Sequence, residues 1–265
     1  MMNILLTNDD GVYAPGLRIL KEALSSIANV TIVAPLQERS TTGHTLTLDH
    51  TLRLVEIEDN IFGCSGFPAD CSLMGIAHIF KLKGQKVDLL ISGINRGANL
   101  GQDVFYSGTV AAAREAVFHN VPAISVSSCL DFKISEKNNL FYHTASNFIK
   151  TLVESGISNF IPPMTLMNVN VPWVSDSEIK GVKVTKVGFR NYSEDIDERI
   201  DFRGRNYYWI GGIYQGFEKL SDSDCQAVED NLISVAPIKL IDYGIPLEEL
   251  MGQTRNFLSK VCIVN

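Results

Sequence analysis

Five cysteines in 265 residues, at positions 64, 71, 129, 225 and 262, are odd in number, scattered and never spaced CxxC. This pattern argues against a disulfide framework or a cysteine-rich zinc site and fits a reducing compartment. The five histidines form no HExxH, so the helical zinc-hydrolase arrangement is missing as well. There is no run of five or more Lys/Arg, and 23 basic against 30 acidic residues give a formal charge of −7. An extended nucleic-acid or anionic-membrane surface is therefore not expected. No stretch approaches the roughly 18 consecutive apolar residues of a membrane span. The N-terminus has no basic region and its apolar stretch stops at Asp9, so no secretory leader and a cytoplasmic location are expected. With 45% apolar and 20% charged residues, the chain reads as globular with a sizeable core.

Short apolar, β-branched runs recur at residues 3–7, 29–34, 87–92 and 122–127, with helical spacing between them. Pro15 stands at a first helical position, followed by Leu17, Leu20, Ala23 and Leu24. Residues 70–81, with Asp70 as N-cap, and 109–119 repeat the pattern. A further helix over 138–154 and a strand over 165–171 extend it. Continuous apolar strands alternating with helices predict a Rossmann-like α/β fold, a doubly wound, mostly parallel sheet in three layers. After Pro172 the character changes. Residues 181–188, 206–211 and 231–237 read as strands with the alternation of antiparallel pairs, and a helix is expected near 246–258. The predicted organisation is a core over 1–172 and a β-rich extension over 173–265. The extension returns to that core within one structural domain.

Each core strand ends on polar chemistry, and parallel strands bring these ends to one edge of the sheet. The first ends on Asn8-Asp9-Asp10-Gly11, the second runs into Arg39, Ser40, Thr41, Thr42 and His44, and the third into Asn95, Arg96 and Asn99. Two adjacent carboxylates repel, so folding avoids the pairing unless something positive sits between them. Together these ends provide carboxylates, a hydroxyl and an amide carbonyl, hard oxygen donors suited to Mg²⁺, Mn²⁺ or Ca²⁺. An Asx-type turn is the plainer reading of Asn-Asp-Asp-Gly.

Ser107 is a natural N-cap, and Gly108 and Thr109 behind it offer backbone N–H groups at a helix start, a cradle for phosphate or simply a capped helix. The glycines at 93, 97 and 101 are spaced GxxxGxxxG and follow the third strand, which matches a dinucleotide fingerprint poorly. Cys64 and Cys71 read as buried thiols, His44 as an accessory proton-transfer group, and Tyr207-Tyr208-Trp209 as packing.

In sum these segments resemble the SurE family of stationary-phase survival proteins. The resemblance is carried by NILLTNDDGVYAPGL (3–17), VAPLQERSTTGHTLTL (33–48), GFPADC (66–71), DLLISGINRGANLG (88–101) and DVFYSGTVAAAREA (103–116), with NVNVP (168–172), YYWIGG (207–212) and ISVAPIKLIDY (233–243) further on. It covers nearly the whole chain. It implies a metal-dependent phosphatase of nucleoside 5′-monophosphates, and 3′-monophosphates besides, with one divalent cation per subunit, Mg or Mn. Matched motif to motif, the ligands are Asp9, Asp10, Ser40 and Asn95, with Asp9 and Asp10 also catalytic. Asn99, Ser107, Gly108 and Thr109 would hold the phosphate, and Arg39 and His44 are accessory.

A homodimer or homotetramer is implied as well, the C-terminal segment packed between subunits. Phe67, Thr41 and Ala116 stand where the family often has threonine, glycine and glycine, and the first two bear on substrate preference. An aspartyl-phosphate route through Asp9 is disfavoured, since the DxD arrangement of such phosphatases is absent. The competing reading is a nucleotide-binding module that cradles phosphate without hydrolysing it.

Overall fold

The computed structural model describes residues 1–130, 140–242 and 244–262. Its centre is a nine-stranded sheet in the order β3-β4-β2-β1-β5-β6-β7-β13-β8. The strands are β1 (Met2–Thr7), β2 (Ala28–Pro35), β3 (Leu54–Glu58), β4 (Ile61–Cys64), β5 (Leu89–Arg96), β6 (Ala123–Cys129), β7 (Thr165–Pro172), β8 (Val182–Val184) and, late in the chain, β13 (Ile233–Lys239). All neighbours pair in parallel except β3 with β4 and β7 with β13.

Period-2 alternation sends successive strand residues to opposite faces. Ile4 and Leu6 join one apolar core with helices α1 (Pro15–Leu24), α4 (Leu140–Glu154) and α7 (Leu247–Leu258); Leu5 joins a second with α2 (Pro68–Met74) and α3 (Gly108–Phe118). Both faces are covered, which is why these strands read as unbroken apolar runs. The mixed α/β class with a large, mostly parallel sheet agrees with expectation.

The chain leaves β1 toward β2 and later returns to add β5 on the other side of β1. The order therefore reverses between β1 and β5. In open α/β sheets ligands bind in the crevice at the C-terminal ends of the strands flanking such a switch point. Asp9-Asp10 follows β1, and Asn95 closes β5.

Several boundaries differ from expectation. The third strand runs on to Arg96 because a bulge between Ser92 and Asn95 lets it keep pairing with β6 past Gly93. Gly93 has φ +135°, and a Cβ there would meet the Val126 carbonyl oxygen at 2.2 Å. Asp70 is not the N-cap of α2 but its third helical residue; its carboxylate accepts from the N–H of the cap, Phe67, at 2.8 Å. That helix passes into a π-helical turn over Gly75–Phe80. The expected helix over 138–154 lies partly outside the described residues and is observed from Leu140.

Beyond Pro172, β8 pairs with β13 in parallel, against the antiparallel expectation, because it adds to the far edge of the main sheet. The antiparallel pairs there are β10 (Ile196–Ile200) with β11 (Asn206–Ile210) and β9 (Arg190–Tyr192) with β12 (Tyr214–Phe217). The short helices α5 (Ile157–Phe160) and α6 (Asp224–Glu229) complete the chain. Tyr207, Tyr208 and Trp209 are exposed on the β10–β11 hairpin rather than packed, since that hairpin projects from the sheet. Cys64 and Cys71 are buried free thiols, as expected. No helix among the described residues is long and apolar enough to cross a membrane.

Candidate active site

The Asn8–Gly11 turn is built by Asn8. Its amide donates to the Gly11 carbonyl at 2.9 Å and accepts from the Gly11 N–H at 3.2 Å. The Asx-type turn is thus real, and its product is an orientation of the carboxylates between its ends. Asp9 is buried at 5% exposure. Its Oδ1 accepts from the Thr109 hydroxyl, and its main-chain oxygen accepts from the Arg39 N–H at 2.8 Å. Burial, then the charge of Asp10, push its pKa from 3.8 to about 6, against hydrogen bonds from the Thr109 hydroxyl and backbone N–H. Asp10 is half-buried. Burial raises it too, opposed by the Arg96 N–H at 3.0 Å and the Arg96 charge. Two carboxylates held at a strand end with their charged forms disfavoured are eased by a proton or by a positive charge nearby.

The N-terminus of α3 points at this pair. Ser107 caps the helix, its hydroxyl accepting from the Val110 N–H at 3.1 Å. Gly108 lies against Asp9: a Cβ would stand 2.8 Å from the Asp9 Cβ and 3.0 Å from both its Oδ2 and the Pro68 Cγ. Only glycine lets the positive end of the helix come this close to the carboxylate.

From β5, Asn95 donates its amide hydrogen to the Gly97 carbonyl at 2.8 Å. Asn99 is buried. Its side-chain nitrogen donates to the Ser127 hydroxyl at 2.7 Å, and its backbone N–H to the Asn170 side-chain oxygen Oδ1 at 2.9 Å. Its main-chain oxygen accepts from the amides of Asn168 and Asn170 at 2.9 and 3.0 Å.

Ser40 follows the Arg39 N–H that reaches Asp9, but its exposed hydroxyl donates to Glu38 at 2.8 Å. The Arg39 guanidinium lies over the Phe67 ring, 5.0 Å from its centroid. His44 stands apart from the aspartates. Its Nε2 is 2.8 Å from Glu115, which also meets His119 at 3.1 Å, and its ring stacks on Phe118. Burial would raise Glu115, but the hydrogen bonds to the two histidines hold it below the ordinary carboxylate range. His44 thereby ties the 39–47 loop to α3.

The comparisons with known proteins bear on what this edge is for. A family model described as "Survival protein SurE" matches residues 4–194. A protein of Aliarcobacter butzleri named 5′-nucleotidase SurE is 43% identical over 246 residues, 91% of this chain and 94% of that one. The Geobacter sulfurreducens protein of the same name is 45% identical over 90% of this chain and 88% of its own. The chain belongs to the SurE family. The crystal structure of the SurE protein from Aquifex aeolicus superposes with a TM-score of 0.78 at 36% identity, covering 91% of this chain and 95% of that one.

In this SurE-family chain no group of three or more His, Cys, Asp and Glu among the described residues is placed to hold a metal ion. A cation here would rest on the carboxylates of Asp9 and Asp10 plus neutral oxygens, hard donors of the kind Mg²⁺ or Mn²⁺ takes. Two groups at the site escaped the sequence reading. Asn168 and Asn170 had a period-2 signal, polar residues inside an apolar strand, but their target lies 69–71 residues away. Tyr142 and Trp173 meet edge-on, ring centroids 5.5 Å apart, and no local pattern marks them. A recess of about 470 Å³ at Asn3, Asn29 and Lys83 opens by the N-terminal ends of β1 and β2, the wrong edge for this site.

Proposed function

We propose that this SurE-family chain is a metal-dependent 5′-nucleotidase, hydrolysing nucleoside 5′-monophosphates, and 3′-monophosphates as well, to nucleoside and phosphate. The observation that carries the reading is the Asp9–Asp10 pair, held at the switch point of a parallel sheet and faced by the N-terminus of α3. Asp9, Asp10, Ser40 and Asn95 would hold one divalent cation, Mg²⁺ or Mn²⁺. Bound there, the cation neutralises phosphate charge and acidifies water.

The chain's own residues do the rest. Thr109 fixes Asp9 through its hydroxyl, and the first turn of α3, with Ser107, Gly108 and Thr109, offers a positive end for the phosphoryl oxygens. Asn99 has a second amide hydrogen beyond the one given to Ser127. Phosphate-monoester hydrolysis is among the slowest uncatalysed reactions, so positioning and electrostatics must supply on the order of 20 kcal/mol. His44, committed to Glu115, is a poor proton shuttle for this centre.

The same reading includes self-association as a homodimer or homotetramer through residues 173–265, supported by the apolar, exposed β10–β11 hairpin. A cytoplasmic location is supported by five unpaired cysteines.

The test is inorganic phosphate release from AMP and GMP with Mg²⁺ or Mn²⁺, abolished by EDTA. Asp9→Asn is expected to lower kcat/KM by on the order of a hundredfold. No release above background with any divalent cation would leave a nucleotide-binding module and end the nucleotidase reading.

A further inference from the structure

The N-terminus of α3 is placed from outside the core sheet. A short 3₁₀ turn, Gly101–Phe105, leads from β5 into the α3 cap. The main-chain oxygen of Asp103 in this turn accepts from the N–H groups of Tyr106 and Ser107, both at 3.0 Å. Where Asp103 stands therefore sets where Ser107 stands, and with it the first turn of α3. Three consecutive residues of the turn are held by residues beyond Pro172. The Gly101 N–H donates to the buried Asp224 carboxylate at 3.0 Å. The Gln102 side chain donates to the Arg190 main-chain oxygen at 2.6 Å and accepts from the Arg190 N–H at 2.8 Å. The Asp103 carboxylate accepts from Arg190 Nη1 at 2.5 Å and from the Tyr192 hydroxyl at 2.7 Å.

Arg190 joins these contacts. Its guanidinium carbon lies 4.4 Å from the centroid of the Tyr214 ring and 5.4 Å from that of Tyr192, so β9 and β12 both brace it. A planar cation fixed against aromatic faces loses little further freedom when it pairs with a carboxylate. Ion pairs in full solvent contribute little. This one is 18% and 22% exposed at its two side chains, and a charge-assisted hydrogen bond in such a partly dry setting is among the strong ones. Gly101 adds a close approach: with φ +54°, a Cβ there would stand 3.2 Å from both the Arg190 nitrogen and the Gly188 carbonyl oxygen.

We infer that Arg190 is a positioning residue for the substrate's phosphate: through Asp103 it fixes Ser107 and the first turn of α3, so that residues beyond Pro172 help to build the cradle. The inference rests on the nucleotidase reading for its substrate. Arg190 acts through the turn and not on the reacting atoms. Misplacing a binding group by about 1 Å costs up to a hundredfold in rate, so loosening the turn is felt at the phosphate even though Asp9 and Asp10 keep their own supports.

Phosphate release from AMP and from ribose 5-phosphate, each with Mn²⁺, tests it. Arg190→Ala is expected to lower kcat/KM about tenfold on both, chiefly through a raised KM, with a matching rise in the inhibition constant of inorganic phosphate, because the cradle grips the group they share. An unchanged kcat/KM, a loss on AMP alone, or a fall in kcat at constant KM (the mark of fewer folded molecules) overturns the assignment. Asp103→Asn, which leaves β9 and β12 intact, is expected to lose a similar amount, and the double variant no more than the larger single loss. Additive losses overturn the route through Asp103. Amide hydrogen exchange reads the same contact without turnover. Exchange over residues 101–110 is expected to quicken about tenfold in Arg190→Ala, with residues 2–24 unchanged; an unchanged rate over 101–110 overturns the inference. If the wild-type protein releases phosphate from no monoester, the nucleotidase reading fails, and the exchange measurement alone decides whether Arg190 holds the turn.

Discussion

At the scale of single residues, Asp9 is where a proton and the proposed cation would compete. Its carboxyl is pushed to about 6 by burial and by Asp10, while the unfolded chain titrates near 3.8. Between these values the folded protein holds a proton that the unfolded chain has released. The stability of the metal-free protein therefore falls as pH rises from about 4 to about 6. The proposed cation would remove that cost by replacing the proton. Mn²⁺ affinity, measured by calorimetry, is expected to weaken by up to about tenfold per pH unit below 6. An affinity flat from pH 5 to 7 would place the ion away from Asp9. Asn8, Asp9 and Asp10 were legible as a group because all three lie in one turn. Their separate duties, one building the turn and two carrying charge, needed the hydrogen bonds.

Among the elements, β7 acts on the site without touching it. Its Asn168 and Asn170 reach the loop after β5 and satisfy both backbone polar groups of Asn99. Ser125 steadies Asn168 with a 2.8 Å hydrogen bond to its side-chain oxygen. Asn170→Ala leaves the buried Asn99 N–H without its acceptor, at about 1–3 kcal/mol for such a group. A urea midpoint lowered to match is the expected result; an unchanged midpoint would mean that water or a shift of the loop replaces the clamp. Asn170→Asp keeps the acceptor for the Asn99 N–H but loses the donor to its carbonyl, so it should fall between the two. The strand itself was readable from its apolar residues, whereas the clamp was not, because it joins positions paired only by the order of the sheet. The edge strand β3 and its neighbour β4 escaped for a related reason: both are short, and β3 is half-exposed, so they carry little of the unbroken apolar signal of the central strands.

For the whole molecule, the β10–β11 hairpin leaves large apolar side chains in the open, with Trp209 62%, Phe202 92% and Ile210 89% exposed. Exposed apolar side chains on a two-stranded ribbon support the self-association proposed above. Converting Trp209 and Ile210 together to lysine is expected to shift the protein to a smaller species in light scattering without changing its circular dichroism. A wild-type protein already monomeric at working concentration would remove the hairpin from any assembly.

The apolar strands, the helices between them and the identity of the polar groups at the strand ends were all legible along the chain, because each is written in contiguous residues with a period of 2 or 3.6. It also carried the family, since NDDG, SGIN and SGT persist as local strings. The folded chain alone reveals that Thr109 and Gly108 close on Asp9 from about 100 residues away, that His44 meets Glu115, and that Trp173 packs edge-on against Tyr142. Such pairings depend on strand order and on which face of the sheet a helix covers. Neither is encoded in the spacing of neighbouring residues.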